Sequence, residues 1–333
     1  MTQEFDRMSD SVAPPADISR KGTGITRENG YDAARRRIRR AYRRQVARVG
    51  GTWHALVTMA GPDGTHLPAV DDRADQVVPA ASINKLAIAC AVLDKIDRGV
   101  LRLDQRVELR PEDVLDGDGI YHRQPVWGDR LTLANVLAAM LMLSDNTAVR
   151  LCGLVCTGVE VNEYLSTRGF THTRVEPLPD DPRRMFLGTT TPHETHALLS
   201  GLVGGAMIPD GMVPGGIVPG GTVPGGIAPG GIVPGGMVSP ASTRFLLDVL
   251  RGYTDGVRRT MSSTERLRTV SKYGALDDGR HEAGVMFDAD GTARVIFCLF
   301  SELPGHGHNY GATHPLVEAH ARLGRCMFDQ LPT

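Results

Sequence analysis

The chain has 333 residues, of which 41% are hydrophobic and 23% charged, and a formal net charge of −1. This is enough apolar chain for one large or two small packed domains. The near-neutral balance gives no general attraction to nucleic acid or to an anionic membrane, and no apolar run approaches the roughly 18 residues of a membrane-spanning helix.

Residues 1–30 are polar and lack a basic stretch leading into an apolar core, so they read as a disordered tail without an export signal. A cytoplasmic location is therefore expected. Residues 31–49 form a basic helix with eight arginines from Arg35 to Arg48; Ala34, Ile38, Tyr42 and Val46 recur every four residues and give it one narrow docking face. Thr52–Ala60 alternates Trp53, Ala55, Val57 and Met59 as a strand does, and Pro62-Asp63-Gly64 turns the chain into a second strand. Ser82–Arg98 is apolar on most sides, as a central buried helix would be, and Gly99 ends it.

Further apolar helices are expected at Leu131–Leu143 and Thr147–Leu154. Thr191-Pro192 opens another with Glu194 as a reciprocal cap, and Ser239-Pro240 opens the next. Two strands, His281–Asp288 and Ala293–Ser301, flank the turn Asp290-Gly291, and an amphipathic helix runs from Pro315 to about Gln330. Strand segments at both ends of the chain must share one sheet, with the helical block inserted. The expected division is a discontinuous sheet domain (31–80 and 243–333) and a helical domain (81–242). Within the latter, residues 208–237 repeat a Val-Pro-Gly-Gly-Ile pentapeptide, a turn-rich composition that cannot build a core and supplies no catalytic group.

Cysteine and histidine do not point to a metal or cofactor. The five cysteines lie mostly inside apolar segments and read as reduced, buried thiols. His306, His308 and His314 occupy a glycine-rich stretch without acidic ligands. Asp113, Asp116 and Asp118 with Gly117 and Gly119 lack the bidentate glutamate of a calcium loop.

The chemistry concentrates in three short motifs. Ser82 and Lys85 are three residues apart on one helical face, the spacing by which an amine can take a proton from a weak hydroxyl nucleophile. Ser144-Asp145-Asn146 adds a second hydroxyl and a carboxamide, and Lys272-Tyr273-Gly274 a second ammonium. The chain has only four lysines, two of which fill these positions.

In the order S-x-x-K, S-D-N and K-x-G, the chain resembles class A β-lactamases within the penicillin-binding protein and β-lactamase superfamily. The likeness extends to Leu131–Leu133, to Thr147-Ala148 after the second motif and to Thr189–Pro192. It implies an α/β (α+β) fold, with an antiparallel sheet flanked by helices, an inserted all-helical domain and the active site in the cleft between. It implies Ser82 as nucleophile, Lys85 as base, Ser144 as proton relay, and Asn146, Lys272 and Gly274 as substrate-binding positions. The backbone N–H groups of Ser82 and Ala275 would form the oxyanion hole. Glu176 is the candidate water-activating base, although Asp180 stands where the family has an asparagine. Tyr273 replaces the usual Thr or Ser that binds a substrate carboxylate. Arg280 is a candidate carboxylate partner, and Tyr121 a candidate aromatic wall at the pocket mouth.

The expected partner is a small-molecule acyl donor (a β-lactam, amide or ester), with no nucleic acid, membrane or cofactor. Two activities follow from an acyl-serine: hydrolysis if water is the acceptor, or acyl transfer if an amine or alcohol is. A non-catalytic binding protein is the third reading.

Overall fold

The computed structural model describes residues 23–123, 127–204 and 236–332. The first helix, α1 (Thr23–Val49), leads into the hairpin β1 (Thr52–Ala60) and β2 (His66–Asp72). A short β3 (Val78–Pro79) precedes a 3-10 turn, Ala81–Asn84, which feeds the central helix α2 (Lys85–Asp97). The helical block continues through β4 (Arg106–Glu108), β5 (Arg130–Thr132), α3 (Leu133–Met142), α4 (Asn146–Gly153) and α5 (Gly158–Ser166). Then come the hairpin β6 (Arg174–Pro177) and β7 (Met185–Thr190), α6 (Pro192–Val203), α7 (Pro240–Leu250) and α8 (Ser263–Leu267). Three strands, β8 (Thr269–Ala275), β9 (Gly279–Phe287) and β10 (Ala293–Glu302), and the helix α9 (Pro315–Phe328) complete the chain.

The main sheet runs β2-β1-β10-β9-β8 with antiparallel pairing throughout, so the two ends of the chain do share one sheet. Alternation along the strands divides the core in two. Trp53, Ala55, Val57, Phe297 and Leu299 meet Ile38 and Tyr42 of α1 and Leu316 and Leu323 of α9. On the other face, Ala283, Val285, Ile296, Cys298 and Phe300 join the core built around α2. Lys85 through Leu93 are all buried, as the even apolar distribution of that helix requires. Truncating Leu86 or Ile88 to alanine there would cost about 2–5 kcal/mol.

Because β8 is an edge strand, one side of it remains open toward the helical block. The turn Ala81–Asn84 packs against that side, which brings the start of α2 to the sheet. This junction forms the cleft.

Three details depart from expectation. The first helix begins at Thr23 rather than Tyr31, so residues 23–30 are helical, while residues 1–22 of the expected tail lie outside the described residues. The pentapeptide repeat lies outside them as far as residue 235. Thr191 caps α6 by accepting from Glu194 N, but the Glu194 carboxylate accepts from the backbone N–H groups of Thr171, His172 and Thr173 instead of closing a reciprocal cap. That loop offers three unpaired donors, which attract the carboxylate more than a single N–H does. No helix among the described residues is long and apolar enough to cross a membrane.

Candidate active site

Ser82 sits in the 3-10 turn immediately before α2, with only 8% of its surface exposed. The preceding Ala81 has φ +46°, a left-handed conformation that an L residue adopts at a cost of about 1–3 kcal/mol. Two contacts hold the turn. The Asn84 side chain, 2% exposed, donates to the carbonyls of Arg174, Leu187 and Thr189, tying the turn to the β6–β7 hairpin. On the other side, Gly274 of β8 lies so close that a Cβ there would stand 3.1 Å from Ser82 N and from Ala81 Cβ. Any larger residue would push the sheet edge off the nucleophile.

The second motif fills the connection between α3 and α4. Ser144 is itself left-handed (φ +55°), and Asp145 caps α4 by accepting from Ala148 N. The other Asp145 oxygen accepts from Ile120 N and Tyr121 N, drawing the 115–121 loop over the motif. Gly119 makes this approach possible, since a Cβ would lie 2.2 Å from Asp145 Oδ2.

The two lysines converge on Ser144. Lys85 Nζ donates to Ser144 O (2.5 Å), Ser144 Oγ (3.1 Å) and Asn146 Oδ1 (2.8 Å). Lys272 Nζ, reaching from β8, donates to the same Ser144 Oγ (3.0 Å) and to Tyr273 O (2.8 Å). Both lysines are fully buried. Burial lowers the Lys85 ammonium to about 8, with Asp118 and Asp145 acting in the opposite sense. Burial holds Lys272 well below its ordinary value, and the charge of Lys85 adds to the effect. Two ammonium groups on one hydroxyl cannot both keep their protons without loss, so near neutral pH the site holds an amine able to accept a proton.

The family model described as the beta-lactamase enzyme family matches residues 35–212 of this chain. The chain belongs to the beta-lactamase enzyme family. A beta lactamase from Xanthomonas campestris pv. campestris superposes with a TM-score of 0.66 at 20% identity, covering 89% of this chain and 98% of that one. A beta-lactamase from Chitinophaga pinensis gives 0.66 at 21% identity, covering 88% and 98%. An ancestral class A beta-lactamase, reconstructed for Gram-negative bacteria, gives 0.63 at 23% identity, covering 88% and 99%. The fold is thus that of class A β-lactamases. Fold and family together support a β-lactamase-like hydrolase.

In this β-lactamase-family chain the other predicted positions separate into two groups. Tyr273, Gly274 and Ala275 border the cleft on β8. The Tyr273 ring lies 4.0 Å from Lys272 Nζ and stacks on Tyr253, and its hydroxyl reaches Asp118 Oδ2 and Leu143 O at 3.4 Å each. Burial raises the Tyr273 phenol, and Asp118 raises it further, so it remains a neutral donor.

Glu176, Tyr121 and Arg280 are placed differently. Glu176 is an exposed residue of β6, opposite Phe186, and no hydrogen bond or ion pair joins it to the Lys85–Ser144–Lys272 cluster among the described residues. The segment forms a hairpin because Val175 turns into the helical core, which aims Glu176 the other way. Tyr121 is a correction: it is buried in the helical core, with its hydroxyl donating to Asn135 O, so it forms no pocket wall. Arg280 is another. Its guanidinium donates to the carbonyls of Leu276, Gly279 and Asn309 and stacks on Tyr310, so its terminal nitrogens hold loops together.

Asp118, weighed in the sequence only as a calcium ligand, lies at the lysine pair instead. Its loop carries it against Tyr273, and its charge raises the pKa of both lysines. The available signal was the pair Gly117 and Gly119 around an acid shortly before Ser144. Those glycines let the loop fold over the second motif instead of around an ion. No group of three or more potential metal ligands occurs among the described residues.

Proposed function

We propose that this protein forms an acyl-enzyme at Ser82 from a β-lactam or a related amide or ester. The observation that carries the reading is the convergence of Lys85 and Lys272 on Ser144 Oγ beside the Ser82 turn. A hydroxyl held between two buried amines is poised to pass a proton to a leaving group, while neutral Lys85 withdraws one from Ser82. Asn146 steadies Lys85, and the family resemblance assigns it a substrate amide. Backbone N–H groups of Ser82 and Ala275 are assigned to the oxyanion by the family resemblance, each contributing about 3–4 kcal/mol.

The position of Glu176 bears on the second half of the reaction. An exposed strand residue without a link to the cluster among the described residues supports a slow reaction with water. It therefore favours the alternative in which the acyl group passes to an amine or alcohol.

The test is intact-mass analysis after incubation with a serine-directed fluorophosphonate, repeated with benzylpenicillin and a chromogenic cephalosporin. Phosphonate should add once to the natural protein and not at all to Ser82→Ala, with labelling of Lys85→Ala slowed at least 100-fold. Labelling that persists in Ser82→Ala would place the nucleophile elsewhere, and no labelling of the natural protein would dismiss the acyl-serine reading in favour of a binding protein. For any β-lactam turned over, Glu176→Gln should change the rate less than threefold; a loss of 100-fold or more would restore Glu176 as the water-activating base.

A further inference from the structure

One wall of the lysine–serine cluster comes from a residue that the proposed chemistry does not use. Tyr273 follows Lys272 on the edge strand β8, and its side chain crosses to the helical block. There its hydroxyl lies 3.4 Å from both Leu143 O and Asp118 Oδ2. Leu143 immediately precedes Ser144, so the crossing passes beside the hydroxyl that both lysines share.

The ring is held as well as placed. Lys272 Nζ lies over it at 4.0 Å from the centroid, and Tyr253 stacks on it with centroids 4.3 Å apart. The stack is attractive, and the N–H groups of Lys272 favour the ring face in either protonation state. The next residue of the strand cannot serve as a wall. Gly274 must stay bare, since a Cβ there would stand 3.1 Å from Ser82 N.

Burial shows what the ring covers. Lys85, Ser144 and Lys272 have no exposed surface, and Ser82 keeps only a little. A cavity of about 200 Å³ opens where β8 and β9 meet the loop before α8 and the start of α9. Tyr273, Gly274 and Ala275 line it, whereas Ser82, Lys85, Ser144 and Lys272 do not. Tyr273 therefore touches the cavity and the cluster alike, and its ring is the partition between them.

In the acyl-serine reading Ser144 Oγ passes a proton to the departing group, which must come to rest beside Ser144. Tyr273 occupies that side. We propose that Tyr273 is a specificity-determining residue whose ring limits the width of the leaving group. The favoured acyl donors are then simple esters or amides of a slender alcohol or amine, in preference to bicyclic β-lactams. A bicyclic lactam keeps its leaving nitrogen inside a substituted ring, which meets the phenol; a slender group passes it. The proposal rests on the acyl-serine reading for the side on which the group departs.

The experiment compares the phenyl and 3,5-diethylphenyl esters of phenylacetic acid, whose phenols differ in width and little in acidity. Acylation is followed by intact mass with the full chain, and Ser82→Ala supplies the background. The natural protein should react with the narrow ester about tenfold or more faster than with the wide one. In Tyr273→Thr that ratio should fall to within about threefold, and acylation by benzylpenicillin should rise about tenfold or more. Tyr273→Phe keeps the ring and should keep the natural ratio. Equal rates for the two esters in the natural protein would overturn the proposal. So would a Tyr273→Thr variant that changes both ester rates by one factor or leaves benzylpenicillin unchanged, which would make Tyr273 only a support for Lys272. A Tyr273→Phe ratio equal to that of Tyr273→Thr would also overturn it, by moving the selection from the ring to the hydroxyl.

A second measurement does not depend on acylation. Trinitrobenzenesulfonate labels accessible, unprotonated amines, and peptide mass mapping separates Lys272 from Lys21, Lys85 and Lys95. Labelling of Lys272 should be about tenfold or more faster in Tyr273→Thr than in the natural protein or in Tyr273→Phe. If no donor acylates Ser82 while Lys272 is uncovered in this way, the acyl-serine reading fails and the partition stands. Equal labelling of Lys272 in the three proteins would end the proposal.

Discussion

Lys85 has two demands on it that pull apart. As a structural group it satisfies the Ser144 carbonyl and the Asn146 amide oxygen, which an ammonium does well. As a base it must lose its proton, and burial brings that step to about pH 8. Below that pH the amine is protonated and idle. The rate of Ser82 acylation should therefore rise about tenfold per pH unit up to about 8 and level off above it. Because Lys85 and Lys272 share Ser144 Oγ, the midpoint belongs to the pair. Lys272 carries the added effect of the Lys85 charge and loses its proton first, so Lys272→Ala should leave the midpoint near pH 8. Rapid-quench mass spectrometry of acylation between pH 6 and 10 measures both effects. A flat profile would set Lys85 aside as the base.

At the scale of elements, the site depends on segments that meet only in three dimensions, and their fastenings are polar. Arg258 is the clearest case. It is 1% exposed, and its guanidinium donates to the carbonyls of Leu250, Arg251 and Tyr253 at the end of α7 and to that of Arg266 in α8. It thereby satisfies terminal carbonyls that no helix can pair for itself. Arg258→Met keeps the apolar stem and strands those carbonyls, and should destabilise the protein by about 3 kcal/mol or more. Urea unfolding followed by circular dichroism measures this, and a change below 1 kcal/mol would show that water replaces the guanidinium. No periodicity marks such a residue, which is why Arg258 was invisible in the sequence. By contrast, β1, α2, β9 and β10 were legible, because alternation or all-round apolarity reports burial directly. The β6–β7 hairpin was not, since its short strands are governed by Asn84 from a remote turn. Likewise, the motifs disclosed Ser82, Lys85, Ser144 and Lys272 as residue types at a spacing. The burial of Tyr121 and the loop contacts of Arg280 were not legible, because nothing local shows which way a side chain is held.

For the whole molecule, burial of neutral histidines should govern behaviour in mild acid. His281 and His320 are 3% and 2% exposed and lie on the β9–β10–α9 junction. Thr58 of β1 joins His66 at 3.0 Å and His196 of α6 at 2.7 Å, so a second pair fastens α6 to the sheet. Burial lowers all four, to about 4 for His66 and His281 and about 3 for His196 and His320. Their unfolded counterparts take up protons near pH 6.5. Between those values the unfolded chain binds more protons, so stability falls as the pH drops below about 6.5. Glu282 acts in the opposite sense, because burial raises it to about 7 and its carboxylate destabilises the fold as pH rises from about 4.5 to 7. One carboxyl offsets only part of four imidazoles, each worth on the order of 3 kcal/mol at full burial. The melting temperature should therefore drop by about 5 °C or more between pH 7 and pH 5, before ordinary carboxylates begin to titrate. Differential scanning calorimetry at half-unit steps measures the slope. His320→Gln can still bond to Ser301 but takes up no proton, so it should flatten that slope. An unchanged slope would mean that the α9 junction opens to water before His320 is charged.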